Sequence, residues 1–195
     1  MKEGASYRIL IADDEPITRI DIREILEEAG HRVVGEADDG FDAVEICKRE
    51  RPDLALLDIK MPLLDGLQAA RMIRSEVPAC GILLLTAYST QEYVAKAADL
   101  VVEGYLVKPV KEASLLPMVE VALAQVGKAE ELRKNEREAL QKLEERKLIE
   151  RAKAILMKRF TLDEDAAYKQ LRDLSMNKRC SMAQIAGMLA ESADE

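Results

Sequence analysis

The sequence predicts an α/β protein: a doubly wound, five-stranded parallel sheet, followed by a helical connector and a small three-helix bundle. Three observations predict it. Five short apolar runs alternate with helical patterns between Tyr7 and Val126. Four of those runs stop at a residue fit for chemistry: Asp13, Asp58, Thr86 and Lys108. Beyond Gly127 the apolar residues recur at helical spacing, in a stretch rich in Glu, Lys, Arg, Ala and Leu.

The first run, Tyr7-Arg8-Ile9-Leu10-Ile11-Ala12, reads as a strand that ends in Asp13-Asp14-Glu15. Pro16 suits the first turn of a helix whose apolar face is Ile17, Ile20, Ile25, Leu26 and Ala29, and Gly30 stops it. Val33 and Val34 mark a second strand. Ala43, Val44 and Cys47 mark a second helix, which ends before Pro52. Leu54–Asp58 is a buried third strand, followed by a Met61-Pro62 and Asp65-Gly66 turn. Asp13 or Asp65 taken alone reads as a helix cap or a turn residue. Gly81–Thr86 and Gly104–Val107 are the fourth and fifth strands, with helical patterns at Ala69–Ile73 and Val94–Ala98. Lys111–Val126 reads as the last helix of this part.

Composition narrows the function. A net charge of −8 argues against nucleic acid or anionic membrane being bound by the protein as a whole. The charge is uneven, however. Residues 1–127 hold 14 Lys+Arg against 23 Asp+Glu, whereas residues 146–182 hold 10 against 5. An acidic front and a basic back suit different partners. Three cysteines without metal-like spacing and a single histidine predict reduced thiols rather than a disulfide framework or a zinc site. No apolar run approaches the roughly 18 residues of a membrane span. The expected location is the cytoplasm, with no membrane partner.

In an open parallel sheet the site lies at the C-terminal strand edges. There the sequence places Asp13, Asp14, Asp58, Thr86 and Lys108. Clustered carboxylates need a cation, and hard oxygen ligands suit Mg²⁺. Mg²⁺ and a Lys point charge together neutralise a transferring phosphoryl group. An Asp nucleophile gives an acyl phosphate. Asp58 is therefore the expected phosphoacceptor.

These residues resemble a receiver domain of a two-component response regulator, with its flavodoxin-like fold. The resemblance rests on Asp13-Asp14, the segment from Asp58 to Gly66, Thr86-Ala87 and Tyr105-Leu106-Val107-Lys108-Pro109. It implies Mg²⁺ held by Asp13, Asp14, Asp58 and the backbone carbonyl of Lys60. It implies Lys108 on the phosphoryl group, Thr86 with Tyr105 as a switch pair, and a sensor histidine kinase as phosphodonor. One departure is the segment from Asp99 to Glu103, where many receivers carry a Gly-Ala turn.

The expected domains are 1–126, a connector over 127–145 and a bundle over 146–195. In the connector, Glu130–Lys134 and Glu138–Lys142 are favourable i,i+4 pairs, and Leu132, Ala139, Leu140 and Leu143 form a narrow stripe. A solvated helix and a parallel dimeric coiled coil both fit. In the bundle, Thr161 with Glu164, or Asp163, caps a helix over Asp163–Leu174, and Ser181 with Gln184 forms a second capping box.

The basic residues gathered here imply local contact with nucleic acid. No recognition helix carries the side chains that read a major groove. The tail instead resembles an ANTAR domain, on Arg151-Ala152-Lys153-Ala154-Ile155-Leu156-Met157-Lys158-Arg159, Asp165-Ala166-Ala167-Tyr168 and Leu171-Arg172. The resemblance implies binding to RNA hairpins of leader transcripts and transcription antitermination, and the connector is expected to favour a homodimer when the protein is phosphorylated. It places Lys153, Lys158, Arg159, Tyr168, Arg172, Lys178 and Arg179 near RNA. Tyr168 fits both a stacking platform and a core aromatic. A DNA-binding output and a protein-docking output are the alternatives. An enzymatic output is not expected, since the tail has no histidine and its acids at 163–165 read as a helix start.

Overall fold

The computed structural model describes residues 6–87 and 102–191. The helical pattern expected at Val94–Ala98 and residues Asp99 to Val101 lie outside the described residues. By contact the chain divides into two units, Met1–Glu130 and Glu131–Glu195.

In the first unit, strands β1 (Arg8–Ala12), β2 (Arg32–Ala37), β3 (Leu54–Asp58), β4 (Gly81–Thr86) and β5 (Gly104–Val107) form one sheet, all parallel, in the order β2-β1-β3-β4-β5. Every residue of β3 and β4 is buried, as their unbroken apolar runs require of central strands. Alternate side chains feed two cores. Leu10, Ala55, Leu57, Ile82 and Leu84 pack on one face with helices α2 (Gly40–Glu50) and α3 (Gly66–Glu76). Ile9, Ile11, Leu54, Leu56, Leu83 and Leu85 pack on the other with α1 (Pro16–Glu28) and the start of α4 (Glu112–Phe160).

Local chemistry sets the boundaries. Asp39 and Asp65 cap α2 and α3 by accepting from Asp42 and Gln68 N–H groups. A Cβ at Gly66 would overlap the carbonyl of Asp58, and one at Gly40 that of Leu64. These two glycines let the β3–α3 loop lie tight against its neighbours. Glu103, the last residue of the segment that departs from the family's Gly-Ala turn, is an anchor. Its two carboxylate oxygens accept from one Arg74 nitrogen, Nη2, at 2.9 and 3.0 Å, and one of them also accepts from the Ile82 N–H at 2.6 Å.

Helix α4 runs for 49 residues without a break. Pro117 lies inside it, and Gly127 does not interrupt it, because an exposed glycine costs a helix only about 1 kcal/mol. The helix therefore passes through both boundaries expected at 126/127 and 145/146. Lys134 meets Glu138 at 4.0 Å, a different i,i+4 pair from those expected.

In the second unit, the end of α4, α5 (Glu164–Lys178) and α6 (Met182–Glu191) share a core of Ala152, Leu156, Ala167, Leu171, Ile185 and Ala186. Asp163, not Thr161, caps α5, accepting from Ala166 N–H at 2.8 Å. Thr161 sits at φ 55°, in the turn. The Ser181–Gln184 capping box forms, with both reciprocal bonds present at 2.9 and 3.1 Å.

Candidate functional site

The parallel sheet carries β1, β3, β4 and β5 to a common rim. Their ends place Asp58, Thr86 and Lys108 around a cleft of about 280 Å³, which Asp14, Lys60 and Ala87 also line, with Asp13 buried against Lys108. Lys108 Nζ lies 2.7 Å from Asp13 Oδ2 and 2.8 Å from Asp58 Oδ2. The Asp13 contact is an ion pair whose angles fall short of a directed hydrogen bond. The other Asp13 oxygen accepts from Glu15 N–H at 3.0 Å.

Burial pushes the Asp58 carboxyl above its ordinary value, against the pull of the Lys108 ammonium and the Lys60 N–H. Burial alone would lower Lys108, but the adjacent carboxylates of Asp13 and Asp58 outweigh it, and its pKa rises. Lys108 therefore carries a firm positive charge.

Carboxylate oxygens of Asp13, Asp14 and Asp58 all lie within 4.8 Å of one another. Three carboxylates against one ammonium leave two negative charges in a mostly buried cluster. An all-oxygen donor set with that surplus fits a hard divalent cation such as Mg²⁺.

The structure thus brings together Asp13, Asp14, Asp58, Lys60, Thr86 and Lys108. Tyr105, on β5 opposite Leu84, is half exposed and does not line the cleft. Sequence reasoning missed Arg19. Its guanidinium donates to the Asp13 carbonyl at 2.6 Å and is held by Glu36 at 3.4 Å. Only the pairing of β1 with β2 brings Glu36 there, so no sequence signal pointed to it.

In the bundle, Lys158, Arg159, Tyr168, Arg172, Lys178 and Arg179 are exposed. Tyr168 and Arg172 stand one turn apart on α5, on the same face. Lys153 departs from expectation. It is buried, and its ammonium is taken up by Glu164 at 2.6 Å and Glu150 at 3.0 Å. It is not free for a phosphate, because reaching one would break both ion pairs.

An acidic cleft facing a lysine, at the edge of a five-stranded parallel sheet of this order, defines a receiver domain. Family models agree. The one described as "Response regulator receiver domain" matches residues 9–120, and the ANTAR domain model matches 137–189, beginning inside the expected connector. The chain belongs to the two-component response regulators that carry an ANTAR domain after the receiver.

Transcriptional regulatory protein PdtaR of Mycobacterium tuberculosis (strain ATCC 25618 / H37Rv) is 38% identical over 185 residues, covering 95% of this chain and 90% of that protein. Among solved structures, a LuxR-family response regulator from Aurantimonas sp. SI85-9A1 is 32% identical with a TM-score of 0.59, covering 62% of this chain and 87% of its own. The receiver domain of a sensor histidine kinase from Pseudomonas aeruginosa PAO1 is also 32% identical, with a TM-score of 0.56, covering 62% of this chain and 99% of its own. That structure has a magnesium ion coordinated in its active-site cleft. Among the described residues, no helix is long and apolar enough to cross a membrane.

Proposed function

We propose that Asp58 accepts a phosphoryl group from a sensor histidine kinase, and that this controls RNA-hairpin binding and transcription antitermination by the C-terminal domain. A carboxylate oxygen of Asp58 attacks phosphorus. The bond from phosphorus to the kinase imidazole breaks, and the imidazole leaves with the electron pair. Asp13, Asp14, Asp58 and the Lys60 carbonyl would hold Mg²⁺, which would supply charge neutralisation for the phosphoryl oxygens. Lys108 exchanges its contact with Asp58 for the arriving phosphoryl group. Thr86 donates its hydroxyl to a phosphoryl oxygen, and Tyr105 reports the change on the outer surface of β5. The single observation that carries this reading is the 2.8 Å contact between Lys108 and Asp58 inside an acid-lined cleft.

The output domain takes residues 146–195, the receiver 1–126, and the stretch 127–145 joins them. The exposed stripe of Leu132, Leu140 and Leu143 supports a homodimeric coiled coil of the phosphorylated form. Lys158, Arg159, Arg172, Lys178 and Arg179 supply phosphate contacts, and Tyr168, 47% exposed, has a free ring face for an unpaired base. A protein-docking output is the second reading, favoured by the exposed apolar side chains of Phe160, Met176 and Met188 in the same domain.

The test has two parts. Full-length protein with Mg²⁺ and labelled acetyl phosphate should take up label, and Asp58→Asn should not. Tandem RNA hairpins should then bind the phosphorylated protein more tightly than the unphosphorylated one, and more tightly than duplex DNA does. Equal labelling of the variant rejects the acceptor assignment. Preference for duplex DNA, or no salt-dependent binding, rejects the RNA output.

A further inference from the structure

Four polar side chains are buried among the described residues: Asp13, Asp58, Thr86 and Lys153. Three belong to the receiver cleft. The fourth lies alone in the C-terminal bundle, on the inner side of α4, between the core residues Ala152 and Leu156. Burying an ammonium is costly unless it is paired, so its partners show what it does.

Glu150 is on the same helix, one turn back. Glu164 is the first residue of α5. The 2.6 Å contact therefore ties two helices together across the Thr161 turn, at the point where α5 begins. Four residues on stands Tyr168, and four further Arg172, both pointing to solvent from the helix that this contact seats. The charge of each partner favours the other: hydrogen bonding to Glu164 and Glu150 raises Lys153, and hydrogen bonding to Lys153 lowers Glu164.

We propose that Lys153 and Glu164 are positioning residues for the RNA-binding face. Lys153 fixes the first turn of α5 against α4, which sets where Tyr168 and Arg172 stand, and it does not itself touch RNA. This rests on the RNA reading above for its consequence, but the anchoring contact is tested separately. Lys153, a basic residue in the middle of a basic segment, thus has a role opposite to the one its charge suggests.

The experiment compares full-length wild type with Lys153→Met, Glu164→Ala and Asp165→Ala, using tandem RNA hairpins over a salt series and amide hydrogen exchange. Asp165→Ala removes an equal charge from the same turn without touching Lys153, so it reports the general effect of charge. Glu164→Ala should bind hairpins several-fold more weakly than Asp165→Ala. Were Lys153 a phosphate ligand, Glu164→Ala would free it, and binding would tighten instead. Lys153→Met should bind roughly tenfold more weakly, with the slope of log K against log salt unchanged. A lost phosphate contact would reduce that slope by about one.

In the exchange measurement, the N–H groups of Ala166 and Ala167, which bond to Asp163, should open faster in both Lys153→Met and Glu164→Ala. Unchanged exchange there, tightened binding by Glu164→Ala, or a slope reduced by one in Lys153→Met would each overturn the proposal. If wild type binds no hairpin, the RNA reading falls, while the exchange data still decide whether Lys153 anchors α5.

Discussion

Asp58 Oδ2 and Lys108 Nζ lie 2.8 Å apart although fifty residues of chain separate them. The contact forms because β3, β4 and β5 run parallel and in sequence across the sheet, so their C-terminal ends share one rim. The same parallel pairing brings Asp13 to Lys108 from β1. A cluster of this kind places charge where burial opposes it, and several consequences can be measured.

Burial raises Asp58 above its ordinary value, so the folded state works against its ionised form. Asp58→Asn removes that charge and leaves Lys108 its pair with Asp13. Without divalent ions the variant should be more stable than wild type by about 1 kcal/mol. Its melting temperature should also respond less to added Mg²⁺, since one of three carboxylates is gone. Thermal unfolding with and without Mg²⁺ checks both.

Two glycines should respond in opposite directions to alanine. At Gly66 the new Cβ meets the Asp58 carbonyl, a backbone atom that cannot swing away, so Gly66→Ala should cost about 3 kcal/mol and disturb the cleft. At Gly127 the Cβ meets nothing within 4 Å, in the exposed middle of α4, so Gly127→Ala should stabilise by up to about 1 kcal/mol. Urea unfolding of the two variants reads the contrast.

His31 gives a pH signature. Burial lowers its pKa from 6.5, outweighing the nearby Glu120 carboxylate, and its ring tilts against Tyr7. The unfolded chain then binds more protons than the folded one between the lowered value and 6.5. Stability should therefore rise with pH through that window and level off above it. As this is the only histidine in the chain, His31→Gln should flatten the rise. Unfolding free energies measured between pH 5 and 7.5 would show it.

Glu103 joins three elements by accepting from Arg74 on α3 and from Ile82 N–H on β4, just before β5 begins. Its side chain is 10% exposed. Glu103→Ala takes the counter-charge from a mostly buried guanidinium and the acceptor from a strand N–H, and should cost about 3 kcal/mol. Arg74→Ala combined with it should cost less than the sum of the two single changes, in a double-mutant cycle.

The sequence by itself determined the sheet and the cleft. Leu54–Asp58 and Gly81–Thr86 are unbroken apolar runs, and such runs form buried strands in any doubly wound sheet. Each strand delivers its terminal residue to the rim, so Asp58, Thr86 and Lys108 could be placed before any contact was known. Local chemistry was equally legible at Asp65 and at Ser181–Gln184, because a cap bonds within three residues of itself. Only the tertiary structure decided the rest. Whether Gly127 breaks α4 depends on a cost of about 1 kcal/mol against the length of helix around it. Arg19 reaches the Asp13 carbonyl, and Glu103 its partners, through pairings distant in sequence. Lys153 reads as one more basic residue among many until Glu164 is folded against it. A side chain's charge is written in the sequence, but whether that charge faces solvent or is taken up by a carboxylate of another helix is decided by packing.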